Sequence, residues 1–140
     1  MINLQFSMNN QITNPKQDKN YDLEERTALF AEKTIVLCKK IKIDPINSRI
    51  VEQLIGSSGS IGANYCEANE AESKNDFIHK IGICKKETKE TIHWLRLLKI
   101  SNPEVAREVD PLLDEARQLL LIFSAISITA RRRKSLKIDV

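Results

Sequence analysis

The sequence has 140 residues, the length of one domain with one hydrophobic core. Hydrophobic residues make up 41% and charged residues 29% of the chain, which excludes wholesale disorder. Four glycines, four prolines and an aromatic content of 5% favour helices over a β-sandwich or barrel. The net charge of +3 is mild and argues only weakly for an anionic partner.

Three cysteines, Cys38, Cys66 and Cys84, are widely spaced and odd in number, so we expect reduced thiols of a cytoplasmic protein. The N-terminus shows no basic start followed by an apolar core, the pattern of a secretory signal. The longest apolar stretch, residues 119–130, is shorter than the roughly 20 residues that a membrane span needs. We therefore predict a soluble chain that does not contact a membrane.

Residues 1–20 are rich in Asn, Gln and Lys and show no sustained period, which predicts a flexible N-terminal tail. A first helix is predicted over residues 22–41 and a second over residues 47–71, separated by Asp44-Pro45. Their apolar residues recur at spacings of 3 and 4, which is typical of a helix with one buried face. The predicted buried positions are Leu23, Thr27, Phe30, Thr34, Leu37, Ile41, Ile50, Leu54, Ile61, Tyr65 and Ala68.

A third helix is predicted from a Ser73 cap to about residue 100, and a fourth over residues 104–131. Ser101-Asn102-Pro103 separates these two helices. Pro111 should either kink the fourth helix or mark its true first turn. The predicted buried positions are Phe77, Ile81, Cys84, Thr88, Thr91, Leu95, Leu98, Val105, Val109, Leu112, Ala116, Leu119, Phe123, Ile126 and Ala130.

Four long helices with short connections pack best as an antiparallel up-down-up-down four-helix bundle. We therefore predict an all-α domain over residues 21–131, followed by a basic C-terminal tail at residues 132–140.

The second and third helices each carry a second face, opposite the predicted core stripe. The residues on these faces are Gly56, Gly59, Ala63, Ile83, Trp94 and Leu97. A helical glycine costs about 1 kcal/mol relative to alanine, and small residues at this spacing let another backbone come close. Two interpretations stay open: tight packing within one bundle, or a subunit interface anchored by Trp94.

Four glutamates on the second and third helices are a possible ion-pair network: Glu67, Glu70, Glu87 and Glu90. Clustered carboxylates can also do acid–base work, but no nucleophile–base arrangement accompanies these. The spacing of Glu90 and His93 resembles part of a di-iron motif, yet no other helix repeats it. We therefore predict no metal site, no cofactor and no enzymatic activity.

Basic residues cluster on the third helix and at the C-terminus, and such clusters bind RNA or DNA phosphates by releasing counterions. The simpler interpretation of the C-terminal cluster is a solubilising tail at the negative end of a helix. The candidate nucleic-acid-binding residues are Lys85, Lys86, Lys89, Arg96, Arg131, Arg132, Arg133 and Lys134. An alternative function is an assembly scaffold that recruits a protein partner through Trp94 or the glutamates.

Several short sequence segments are more specific than the helical periodicity alone. They are YDLEERT at residues 21–27, SIGANY at 60–65, EANEA at 67–71, DFIHKI at 76–81, KETKET at 86–91 and WLRLL at 94–98. Together they resemble the bacterial four helix bundle protein family, also called 23S rRNA-intervening-sequence proteins. The resemblance extends over about residues 21–130.

The resemblance implies a four-helix bundle that assembles as a homopentamer and whose biochemical role is not established. Members of this family are encoded inside insertions in ribosomal RNA genes and also elsewhere in genomes. A relative, the accessory variability protein of diversity-generating retroelements, forms a basic pentamer that binds nucleic acid and a reverse transcriptase. The sequence departs from the family at Cys66, where the family often carries Arg. If that Arg pairs with the glutamates of the second and third helices, this chain lacks one partner of the ion-pair network.

Overall fold

The computed structural model describes residues 15–138, and the side chains of residues 23–136. This part of the chain forms four α-helices and one short 3-10 helix, without a strand, which confirms the all-α prediction. The elements are α1 (Pro15–Lys39), α2 (Asn47–Asn69), α3 (Lys74–Ser101), the 3-10 helix (Pro103–Val105) and α4 (Ala106–Ile138).

Two helix boundaries differ from the prediction by seven residues, and the others agree to within two. α1 begins at Pro15 rather than at residue 22, and proline is favoured at the first helical position. α4 ends at Ile138 rather than Arg131, so it includes most of the predicted basic tail. The added residues are mostly Arg, Lys and Leu, which are good helix formers, and none is Gly or Pro. Residues 1–14 of the predicted N-terminal tail, and residues 139–140, lie outside the described range.

Pro111 lies inside α4, so the interpretation that it marks the first turn is wrong. The helical segment begins well before Pro111, because Pro103 is the first residue of the 3-10 helix that leads into α4. The Pro111 ring supplies no N–H for the carbonyl of Arg107, one turn before it. Both residues are exposed, so water can bond that carbonyl instead.

The predicted core stripes are confirmed. Phe30 of α1 and Phe123 of α4 are the largest fully buried side chains, with Leu54, Ile61, Ile81, Leu95, Leu98 and Leu119 around them. Four of the predicted positions are half-buried instead: Ile50, Phe77, Ile126 and Ala130. The hydrophobic core therefore lies where the spacing of 3 and 4 places it.

The core also contains threonines, and each described one bonds within its own helix. Thr34 Oγ1 donates to the Phe30 carbonyl at 2.9 Å, and Thr88 Oγ1 donates to the Cys84 carbonyl at 2.7 Å. Thr27 Oγ1 lies 3.0 Å from the Glu24 carbonyl in the same way. Among the described side chains, no buried nitrogen or oxygen lacks a hydrogen-bond partner, so these hydroxyls are buried without an unmet bond.

Polar side-chain contacts connect the helices to one another. In α2 and α3, which share the most extensive contact, Glu67 pairs with Lys80 at 2.7 Å, and Thr91 Oγ1 donates to Ser57 Oγ at 2.9 Å. Among the helix pairs in substantial contact, α1 and α4 pack least extensively. They are joined by two ion pairs, Arg26–Glu115 at 2.6 Å and Lys40–Glu108 at 3.0 Å. These contacts are those of a helical bundle.

A buried asparagine links the two loops at one end of the bundle. Asn47 is fully buried; its Nδ2 donates to the Lys42 carbonyl at 3.0 Å and lies 3.4 Å from Asn102 Oδ1. Its Oδ1 accepts the backbone N–H of Asp44 at 2.8 Å. Asp44 Oδ1 in turn accepts the N–H groups of Ile46 and Asn47, each at 2.8 Å. The start of α2 is therefore capped by Asp44 from outside the helix.

Gly62 lies at a close approach between α1 and α2. A Cβ placed on Gly62 would lie 3.0 Å from Oγ1 and 3.3 Å from Cβ of Thr27. Thr27 is fully buried and β-branched, so it has little freedom to move away. Packing within the bundle therefore explains the glycine at this position.

Replacing Asn47 by alanine should lower the free energy of unfolding by about 2–3 kcal/mol, because it leaves buried loop groups without partners. Urea unfolding at constant m-value measures the change. Asn75→Ala, at an exposed site in the first turn of α3, is the matched control and should cost less than about 0.5 kcal/mol. Equal losses in the two variants would contradict the role of Asn47.

Gly62→Ala should destabilise the chain by about 1–3 kcal/mol, although alanine is the better helix former, because its methyl group meets Thr27. Gly82→Ala is the control, since a Cβ there has no neighbour within 4 Å. It should leave the melting temperature unchanged or raise it. A Gly62→Ala variant at least as stable as the native chain would show that Thr27 gives way easily.

Candidate nucleic-acid interface

A groove of about 380 Å³ lies between α3 and α4. We call it the basic groove; it is lined by Gly82, Lys85, Lys86, Lys89, Glu90, Ser127 and Arg131. Four of its residues are cations and one is a carboxylate. Three of the predicted α3 cations therefore meet a fourth cation from α4 in one place.

Helical spacing explains how the basic groove forms. Lys85 and Lys89 are one turn apart on α3, and Lys86 lies beside them. On the opposite wall, Arg131 Nε lies 3.4 Å from the Oγ of Ser127, one turn earlier on α4. Within residues 23–136, none of these four cations forms an ion pair with a carboxylate. Although the charge of Lys86 also acts on the carboxyl of Glu87 and Glu90 lies in the lining, the groove has an excess of positive charge that is available to an anion from outside the chain.

The other predicted cations lie elsewhere. Arg96 lines a second groove between α3 and α4, of about 440 Å³, which also contains His93 and Arg117. Ten residues of helix separate Arg96 from Lys86, which is about 15 Å along α3. Arg132 and Arg133 are exposed and Lys134 is half-buried on the last turns of α4. Successive helical residues point about 100° apart, so Arg132 and Arg133 point away from Arg131, whereas Lys134, three residues on, lies on the same side of α4.

The sequence did not single out Gly82, Ser127 or Arg117 for these grooves. Gly82 precedes Lys85 and Lys86 by three and four residues, so its place on the same side of α3 was readable. Ser127 and Arg117 come from α4, and only the alignment of α3 with α4 brings them to the grooves.

The second face of α2 is open in the single chain. Gly56, Gly59 and Ala63 are exposed, and a Cβ on Gly56 or Gly59 would meet nothing within 4 Å. Packing within one bundle therefore explains Gly62 and is the wrong explanation for Gly56 and Gly59.

The second face of α3 is partly covered. Trp94 is half-buried against the core, and its ring meets His93 edge-on, with centroids 5.0 Å apart. Ile83 is also half-buried, and Leu97 is 37% exposed. Leu97 also lines the groove that contains Arg96 and Arg117, so it lies on the side of α3 that borders α4.

The four glutamates occupy different surroundings. Glu67 pairs with Lys80 across α2 and α3, and this contact raises the pKa of the Lys80 ammonium. Glu87 is half-buried; desolvation, and then the nearby charge of Glu90, raise the pKa of its carboxyl. Glu90 is exposed on the edge of the basic groove, and Glu70 is exposed just beyond α2.

The cysteines are free thiols in different positions. Burial raises the pKa of Cys38 to about 11 and that of Cys84 to about 12. Both therefore stay protonated near neutral pH, which makes them poor nucleophiles. Cys66 is exposed on α2.

Metal-ligating clusters and membrane-spanning helices are both absent from residues 15–138. Among the described side chains, no group of three or more His, Cys, Asp or Glu is placed to hold a metal ion. Within the same range, none of the helices has the length and apolarity that crossing a membrane requires.

Comparison with known proteins agrees with this architecture. The family model described as 23S rRNA-intervening sequence protein matches residues 19–125. A similar solved structure is a protein of unknown function from the S23 ribosomal protein family of Bacteroides thetaiotaomicron, with a TM-score of 0.65 and 28% identity. The match covers 74% of this chain and 96% of that one. No curated protein matches the chain. Since the family model spans most of the sequence, the chain belongs to the 23S rRNA-intervening sequence protein family.

Proposed function

We propose that the chain is a non-enzymatic, self-associating four-helix bundle that binds RNA or DNA through the basic groove. The observation that carries this proposal is the meeting of Lys85, Lys86, Lys89 and Arg131 in one groove without an ion-pair partner among the described side chains. Four cations held together repel one another, and a bound phosphate strand relieves that repulsion.

The expected binding is electrostatic. Each phosphate that a cation neutralises releases condensed counterions, so affinity falls as salt rises. Four neutralised phosphates give a slope of log K against log salt of about −3 to −4. Arg132, Arg133 and Lys134 continue from Arg131 on α4 and extend the basic surface beyond the groove. Arg96 adds a further cation along α3.

Self-association is the second part of the proposal. Gly56 and Gly59 each cost about 1 kcal/mol of helix stability without a packing reason inside the chain. A neighbouring copy lying against them would supply that reason, with Ile83, Trp94 and Leu97 as apolar contacts. The family resemblance supports a homopentamer. A ring would repeat the basic groove in every subunit and strengthen binding through multiple contacts.

The order of contacts supports an antiparallel up-down-up-down topology for the bundle. Glu67–Lys80 lies near the α2–α3 turn, and Ser57–Thr91 lies further from it on both helices. We further propose a cytoplasmic location, supported by three cysteines that are all free thiols.

A scaffold that recruits a protein partner is the second candidate function. It is favoured by the half-buried Trp94 next to the partly exposed Leu97, since aromatic side chains often anchor interfaces. A partner captured equally well before and after nuclease treatment would support this alternative over nucleic-acid binding.

Removing three cations from the groove should reduce RNA binding and its salt dependence. We expect the Lys85→Ala, Lys86→Ala and Lys89→Ala triple variant to lower the slope of log K against log salt by about 2–3. Fluorescence anisotropy with a labelled single-stranded RNA measures both quantities.

The matched control is the triple variant Lys33→Ala, Lys39→Ala and Lys42→Ala, which removes the same charge from exposed positions outside the groove. It should change the slope by less than about 1. Affinity that does not depend on salt, or equal losses in both variants, would reject the groove as the binding surface.

Gly59→Leu should weaken self-association, because the added side chain keeps a neighbouring backbone away from α2. Sedimentation equilibrium at micromolar concentration should give a multiple of the chain mass for the native protein and a lower mass for the variant. Gly82→Leu adds the same side chain outside this face and should keep the native mass. A native protein that sediments as one chain would refute the interface.

A further inference from the structure

We infer that Gly82 forms the base of a phosphate-binding seat in the basic groove. One or two phosphates of a nucleic-acid strand lie there against α3, between Lys85, Lys86 and Lys89 on one wall and Arg131 on the other. This inference rests on the proposed function and specifies which part of the groove receives the strand.

The first argument is that nothing within the chain requires glycine at this position. Gly82 lies inside α3, where glycine is a poorer helix former than alanine. A Cβ there would have no neighbour within 4 Å, and the φ angle is ordinary, so neither packing nor backbone conformation selects it. Gly62, in contrast, is packed against Thr27. What glycine does provide at position 82 is clearance in the groove.

The second argument concerns where the lysines extend. Side chains on a helix lean toward its N-terminus and cover the preceding turn. Lys85 and Lys86 follow Gly82 by three and four residues, so their side chains extend over the turn that contains it. The ammonium groups therefore lie around Gly82, which has no side chain to cover the backbone of α3.

The opposite wall adds a donor suited to phosphate. Arg131 has one donor near Ser127 Oγ, and the guanidinium has five N–H groups in all. The remaining donors are free to form a two-pronged contact with phosphate oxygens. Ser127 is nearly fully buried and so provides a fixed support for that arginine. Glu90 is the single carboxylate on the rim, and it disfavours a phosphate on that side.

The experiment compares Gly82→Leu and Gly82→Ala with the native full-length chain. The probes are a labelled single-stranded RNA of about 20 nucleotides and unlabelled inorganic triphosphate as competitor. Gly82→Leu should bind the RNA about tenfold more weakly, with a salt slope reduced by about two, because fewer phosphates reach the lysines. Gly82→Ala should bind within about twofold of the native chain, since a methyl group leaves most of the clearance.

Two controls test whether a loss of binding comes from poorer folding or from added bulk at any position. Both substitutions replace a helical glycine, so the melting temperature should be unchanged or higher in each. Ala125→Leu adds bulk to an exposed part of α4 that does not line the groove and should leave binding unchanged.

Three results would overturn the inference. In the first, Gly82→Leu keeps the native RNA affinity and the native slope of log K against log salt while the Lys85, Lys86 and Lys89 triple variant loses RNA binding. That result would reject the seat and leave the proposed function standing. Displacement of RNA by triphosphate at equal concentration would assign the seat to free polyphosphates instead of a strand. Salt-independent or absent RNA binding in the native chain would reject the proposed function, and the seat with it.

Discussion

The rotation of α3 about its own axis is fixed by four apolar side chains, Ile81, Cys84, Leu95 and Leu98, each 0% exposed. Burying such a side chain stabilises the fold by about 1.5–3 kcal/mol. Because neighbouring residues on a helix point about 100° apart, a rotation by one residue would expose this stripe. Everything that α3 presents on its other sides follows from this constraint.

With its core stripe buried, α3 presents two different surfaces. Outside the basic groove it carries the half-buried Trp94 and Glu87. Toward α4 it carries Lys85 and Lys89 around Gly82. Only the surface toward α4 is strongly basic. In the proposed function, self-association and nucleic-acid binding therefore use different surfaces of the chain.

The core and helix order could be predicted from the sequence because both depend on local periodicity. The cap that Ser73 provides for Asp76 was also readable, and the structure has it with an N···O distance of 3.0 Å. The role of Asn47 was not readable, because it depends on two loops that are distant in sequence meeting at one end of the bundle. The end of α4 was placed too early because charge was taken as a sign of a tail, although Arg and Lys are good helix formers.

The candidate site was predicted only in part. The lysines of α3 were recognised by their charge, whereas their approach to Arg131 depends on the alignment of α3 with α4. The α2 glycines are conspicuous in the sequence because three occur within seven residues. Gly82 is isolated, so the sequence did not indicate a role for it. Of the three α2 glycines, Gly62 has a packing role against Thr27 that spacing could not distinguish from the open positions.

Lysine footprinting tests the central claim most directly. The native chain is acetylated briefly with and without RNA, and the modification at each lysine is measured by mass spectrometry. The account predicts that RNA protects Lys85, Lys86 and Lys89 at low salt, leaves the exposed Lys33 and Lys42 reactive, and loses this protection at high salt. Equal reactivity of the groove lysines with and without RNA, or protection spread evenly over all lysines, would contradict it.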